Sequence, residues 1–304
     1  MKIFLKAVAA LFLLMLAIWA IRSDSGHDGY VSAAPLAEGG DAAWRRSPVW
    51  DDGRAEVCAY EVTWAHYGRR YDGRALLVLV KEPWAPDLDV KADSPRPDGF
   101  DVLKLNHVRD VPTGVYTYHQ MASLYTRRDS GALQKLAAAS SEACGVTTAE
   151  MVGGRLTTHS YFDGQGDRAA SWPANALAED GLPASLRDYV AGVAGVAGRV
   201  PATLAVFPSL LSARLPELRP STYRVERREV PAADAPEGKV PGVEIRLTRG
   251  PSALAYTFDR QAPYRLLGFA REDGTAYRLA KCERIAYWQM NKPGDEAWLP
   301  RGAR

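Results

Sequence analysis

Between Arg54 and Trp64 the segment RAEVCAYEVTW alternates in character. On an extended chain, Val57, Ala59 and Glu61 fall on one face and Cys58, Tyr60, Val62 and Trp64 on the other, which predicts a β-strand. RALLVLVKEPW is apolar without alternation until Pro83, the pattern of a strand covered on both faces. The link AHYGRRYDG, with Gly68 and Asp72-Gly73, predicts a hairpin between these two strands. DVLKLNHVRDV and GVYTYHQMASLYT predict a second antiparallel pair, interrupted by Pro112 and Gly114. KLAAASS, TAEMVGG and GRLTTHSYFDG continue the meander to a turn at DGQGD.

The middle of the chain changes period. In LPASLRDYVAGVAGVAG, Leu182, Leu186, Tyr189, Val190 and Val193 share one stripe and Pro183 suits a first helical turn. RVPATLAVFPSLLSARLPELRPS is apolar but broken by prolines, as in a crossing segment. Strand patterns then return over Tyr223 to Val230, Val243 to Thr248, Ala253 to Arg260, Tyr264 to Arg271 and Ala276 to Trp288. The expected class is α+β and mostly β: a large curved antiparallel sheet, half-barrel-like, with one or two packed helices. The alternative is two β lobes, 44–170 and 221–291, joined by the helical segment.

The amino terminus carries a different signal. MKIFLK supplies two lysines, and Ala7 to Ile21 is then uncharged, apolar and without a polar face. This is the charged-then-apolar order of an export signal. Residues 1–22 are therefore expected to be a signal peptide or a membrane anchor, with membrane contact through residues 3–21 if uncleaved. Residues 23–43, rich in Gly, Ala, Ser and Asp, read as a linker; 44–291 is the exported β-rich domain and 292–304 a tail. No cysteine follows the apolar run, so a lipoprotein-type lipidation site is lacking.

Composition narrows function mainly by exclusion. With 38 Lys+Arg against 36 Asp+Glu, the formal charge is +2, which gives no case for nucleic acid as a partner. Cys58, Cys144 and Cys282 are the only cysteines; export into an oxidising space allows one bridge among them. Scattered histidines and the lack of CxxC give no metal site. DGQGD departs from a calcium loop, with Gln165 at its third position and Ala174 at its twelfth, and reads as a turn. No P-loop, GxSxG or HExxH occurs, and neither catalytic residues nor a cofactor are assigned.

Cys144, in SSEACGVTTAEM, is open to four readings: nucleophile, metal ligand, disulfide half, or small buried structural thiol. Glu142 beside it would raise its pKa, which weighs against a nucleophile. The expectation is a poorly reactive thiol facing packed side chains, with Gly145 allowing a bend or a close approach.

DDGRAEVCAYEV, ALLVLVKEPW, VLKLNHVRDVPTGVYTYHQMASLYT, SSEACG and RIAYWQMN resemble a family of exported bacterial proteins of unknown function, some carrying the name "septum formation inhibitor Maf". The resemblance spans about Trp44 to Asn291. The nucleotide pyrophosphatases properly called Maf are cytosolic and open on a Ser- and Arg-rich phosphate motif that this chain lacks. YTFDRQAPYRLLGF and YRLAKCERIAYW are similar in style to the curved sheet of periplasmic lipoprotein carriers, a likeness of fold alone.

The resulting expectation is a non-enzymatic cell-envelope protein that binds an apolar ligand or another envelope protein on the concave face of its sheet. The alternative is an envelope hydrolase with an unrecognised active site, which His119 or His159 within hydrogen-bond distance of a carboxylate or Cys144 would favour; a third reading is a purely structural anchored module. Tyr116, Tyr118 and Trp288 are the candidate ligand-binding residues, as rings with polar tips around one apolar concavity.

Overall fold

Among the described residues, the first strand in sequence lies in the middle of the sheet. β1 (Ala55–His66) is flanked by β2 (Arg69–Ala85) on one side and by the last strand, β16 (Ala276–Ile285), on the other. A computed structural model describes residues 42–190 and 200–299. From β1 the chain meanders outward through β2, β4 (Phe100–Pro112), β5 (Thr117–Arg127), β6 (Leu133–Glu142), β7 (Gly145–Val152), β8 (Arg155–His159) and β9 (Arg168–Ser171). The short β3 (Val90–Lys91) pairs only with β2.

The chain then crosses to the opposite edge. It passes through β10 (Leu177–Ala178), a single 3-10 turn (Glu179–Gly181) and two short helices, α2 (Leu182–Ser185) and α3 (Arg187–Val190), numbered after α1 (Ala43–Arg46). It returns inward through β11 (Thr203–Phe207), β12 (Ser221–Ala235), β13 (Gly238–Arg249), β14 (Ser252–Asp259), β15 (Leu266–Arg271) and β16. Only β10 and β11 pair in parallel among the described residues; every other ladder is antiparallel. The strands thus form one continuous sheet, ordered outward in both directions from the β1–β16 pair.

The sheet curls around the crossing segment. Buried side chains of β1, β2 and β4–β8 share one core with those of β11–β16 and with Leu182, Leu186 and Tyr189. His107 on β4 and Tyr277 on β16 lie three strand spacings apart, roughly 14 Å in a flat sheet. Their side chains nonetheless meet, with His107 Nε2 3.1 Å from the Tyr277 hydroxyl. The class is therefore mostly β, a large curved sheet with short packed helices.

Alternation explains the faces. Cys58, Tyr60 and Val62 point into the main core, as do Leu77 and Leu79. Ala55 and Val57 point outward with Val78 and Val80, and Ile285, Tyr287 and Trp298 cover them. The continuous apolar run of β2 thus serves two cores. The β1–β2 turn falls at Tyr67 and Gly68, both with positive φ (50° and 69°), the backbone of a type I′ hairpin. Asp72-Gly73 stays within the strand. A Cβ on Gly73 would lie 2.5 Å from the Asp110 carbonyl oxygen, so glycine is needed there for a close approach.

Ion pairs fasten the crossing segment to the sheet centre. Glu56, on the inner face of β1, accepts from Arg187 at 2.6 Å. Asp188 accepts from the Trp44 indole and from Arg45, tying α1 to α3. A disulfide joins Cys58 to Cys282 across β1 and β16. The helical stripe holds through Val190; Val193 lies outside the described residues, as do residues 1–41 with their apolar run. Among the described residues no helix is long and apolar enough to cross a membrane.

Candidate functional site: a charged and aromatic cavity on the concave face

In β4 the inward phase reads Leu103, Leu105, His107, Arg109, Val111, all buried. Two polar residues thus occupy positions where alternation calls for apolar ones. On β5 the matching phase is Tyr118, Gln120, Ala122, Leu124, again with one polar member. These residues meet a loop of the crossing segment. Arg109 donates through Nε to Gln120 Oε1 (2.7 Å) and through a terminal nitrogen to the Leu211 carbonyl (3.0 Å). Gln120 donates to the same carbonyl (2.9 Å) and to Ser140 (3.0 Å).

Above this layer lies a cavity of about 280 Å³. Trp64 and His66 come from the end of β1, Tyr256 from β14, Leu266, Phe269 and Arg271 from β15, and Tyr277 from β16. The crossing segment contributes Glu179, Asp180, Ser209 and Leu211. The Arg109 guanidinium sits 4.8 Å from the Trp64 ring centroid, and Trp64 stacks on His66 at 4.0 Å.

Burial sets the protonation of the wall. Burial and the nearby Arg109 charge hold His107 down to about 3, so it is a neutral ring at physiological pH. Burial also raises Asp180, whose oxygens accept from the Ser209 hydroxyl and, at 2.7 Å, from the Leu210 N–H. Burial pushes Glu179 up to about 7 even though it is paired with Arg271. The Tyr277 hydroxyl is raised chiefly by burial.

The expected site residues are divided by the fold. Tyr118 is buried edge-on to Trp64 at 5.1 Å, and its hydroxyl lies 2.6 Å from that of Tyr67. Tyr116 lies next to it, with ring centroids 5.7 Å apart. Neither lines the cavity, contrary to expectation: both lie at the end of the sheet where Thr63 pairs with Ala276. Trp288 does not join them. It follows β16 at the opposite end, where Ala55 pairs with Ile285, about 27 Å away along the strand, and is 46% exposed. Strand alternation alone could not place it, because the strand ends at Ile285 and Trp288 belongs to a 3-10 turn.

Cys144 also departs from expectation. Instead of facing packed side chains it is exposed, in the two-residue turn between β6 and β7. The turn geometry forces this: Glu142 pairs with Gly145, leaving Ala143 and Cys144 at the tip. Its N–H donates to Glu142 at 2.6 Å, and that carboxylate raises the thiol pKa, as the adjacent acid implies. Gly145 permits a close approach, since a Cβ there would lie 2.8 Å from the Tyr161 ring. Histidine–carboxylate pairs do occur, His119 with Asp110 (2.9 Å) and His159 with Asp167 (3.2 Å). Both histidines are exposed, and neither lines the cavity.

His107, Arg109, Gln120, Glu179, Asp180 and Arg271 were not among the expected site residues. For the first three a signal existed: polar side chains in the apolar phase of a strand. No family model matches this chain, and no curated protein matches it. A solved structure described as a "Beta-barrel-like Protein of Domain of Unknown Function DUF1849 from Brucella abortus" is similar over 77% of this chain and 98% of that one, at 10% identity and a TM-score of 0.43.

Proposed function

We propose that the protein is an exported, non-enzymatic cell-envelope component that binds a ligand with an apolar body in the concave cavity. The observation that carries this reading is the cavity wall itself. Trp64, Tyr256, Leu266, Phe269 and Tyr277 present rings and an aliphatic chain to one concave volume, with polar groups converging from the crossing segment. Two further features support export. The lysine-then-apolar amino terminus is the order of an export signal, and a disulfide such as Cys58–Cys282 persists in an oxidising compartment. The membrane contact belongs to residues 3–21 if that segment is retained.

The test is titration of the purified full chain with the neutral fluorescent probe N-phenyl-1-naphthylamine, with native mass spectrometry of the same sample for a co-purified small molecule. Saturable binding that weakens several-fold in Phe269→Ala and stays unchanged in Trp288→Ala is expected. Absence of saturable binding in the folded protein would overturn the cavity reading. A phosphatase fused after Trp44 should be active in cells; an inactive fusion would sink the export reading.

A further inference from the structure

Arg109 is only 8% exposed, yet all its hydrogen-bond acceptors are neutral. They are Gln120 Oε1, the Leu211 carbonyl and, at 3.5 Å, the Tyr277 hydroxyl. Among the described residues no carboxylate comes within ion-pair distance of it, whereas the other buried arginines of the core do have such partners: Arg187 holds Glu56 and Arg45 holds Asp188. A buried cation without a counter-charge is costly, and proteins rarely keep one unless something else neutralises it. A guanidinium has five N–H donors. Three are engaged, which leaves one on each terminal nitrogen to donate to an anion. Arg109 also lines the cavity, beside the rings of Trp64 and Tyr277.

We infer that the ligand carries a single carboxylate, held by Arg109, on a small apolar body. This deepens the cavity reading above and rests on it. The charge of the wall argues for one negative charge rather than two. Beyond the Glu179–Arg271 pair, the wall sets Asp180 and Asp273 against Arg109 and Arg214, so it holds no excess of positive charge to match a phosphate-type dianion. Asp180 is near enough to feel the Arg109 charge, but its oxygens accept from Ser209 and Leu210 and neither bonds the guanidinium. Size argues for a small body, because about 280 Å³ lies at the small end of ligand cavities.

Calorimetric titration of the full chain with hexanoate, 1-hexanol and hexyl phosphate decides it, with N-phenyl-1-naphthylamine as the control for the cavity. Hexanoate should bind about tenfold or more tighter than the alcohol and tighter than the phosphate, as charge-assisted bonds to a buried arginine imply. Arg109→Gln should remove the preference of hexanoate over the alcohol. If that variant fails to fold, the three ligands compared on the unmodified protein still decide. Equal binding of hexanoate and hexanol, with the probe bound, overturns the carboxylate inference and leaves the cavity reading standing. Tighter binding of hexyl phosphate overturns the single-charge assignment. No binding of any ligand or of the probe overturns both.

Discussion

Cys58 and Cys282 are direct partners across β1 and β16, and their disulfide closes a loop of 224 residues between the first strand and the last. Loop-closure entropy assigns such a bridge about 5 kcal/mol. Cys58→Ser, or reduction of the native protein, should therefore lower the unfolding free energy by about 3–5 kcal/mol in urea titration. A loss below about 1 kcal/mol would show that strand pairing alone holds the two halves together.

Cys144 should be the only thiol that titrates in the folded, non-reduced protein, since the other two cysteines are bonded. It is exposed, yet Glu142 raises its pKa, so labelling near neutral pH should be slower than for a free cysteine. Glu142→Gln should speed labelling several-fold at pH 7 with no change in fold. Faster labelling of the unmodified protein than of a small thiol would contradict the assignment.

Two buried groups should give stability opposite pH dependences. His107 has its pKa depressed from 6.5 to about 3, so its contribution is complete above about pH 6.5 and is lost as pH falls toward 3. Glu179 is raised from 4.5 to about 7, so its contribution is complete below about pH 4.5 and is lost as pH rises through 7. Between pH 4.5 and 6.5 the two oppose each other. Urea unfolding at pH 4, 5.5 and 7.5 should show a shallower acid loss in His107→Gln. In Glu179→Gln the fall from pH 4.5 to 7 should disappear. Parallel profiles for the variants and the parent would refute the assignment.

Gly73→Ala should destabilise strongly, by about 2–4 kcal/mol, because the new methyl meets the backbone oxygen of Asp110 rather than a movable side chain. Gly53→Ala, where no atom lies within 4 Å of the added carbon, is the control. Its cost should come only from the positive φ of 69°. Chemical denaturation of the two variants compares them directly.

The hairpins were legible because each is a local matter. Alternation in RAEVCAYEVTW and the glycine at position 68 place β1, its faces and its turn from adjacent residues. The β1–β16 pairing was not legible, since nothing near Val57 indicates that its other neighbour is Glu283. The site was partly visible. His107 and Arg109 interrupt an apolar phase that Leu103, Leu105 and Val111 otherwise keep, a signal that strand reading alone treats as noise. Glu179, Asp180 and Arg271 carried no comparable mark, because their burial comes from the curl that brings the crossing segment against β14–β16. Aromatic content drew attention to Trp288, but a ring just past the end of a strand follows the turn, not the strand's phase.

The central position of β1 also sets an order of events during synthesis. β1 and β2 leave the ribosome early, and β1 then has one edge with no neighbour until β16, the last strand, has been made. An unpaired edge in the middle of a future sheet is an invitation to pair with another chain. Almost the whole polypeptide must therefore wait, with its centre open, for its own final strand; a chaperone that shields extended chain would act over that interval, and truncation just before Ala276 should yield aggregates rather than a smaller folded protein.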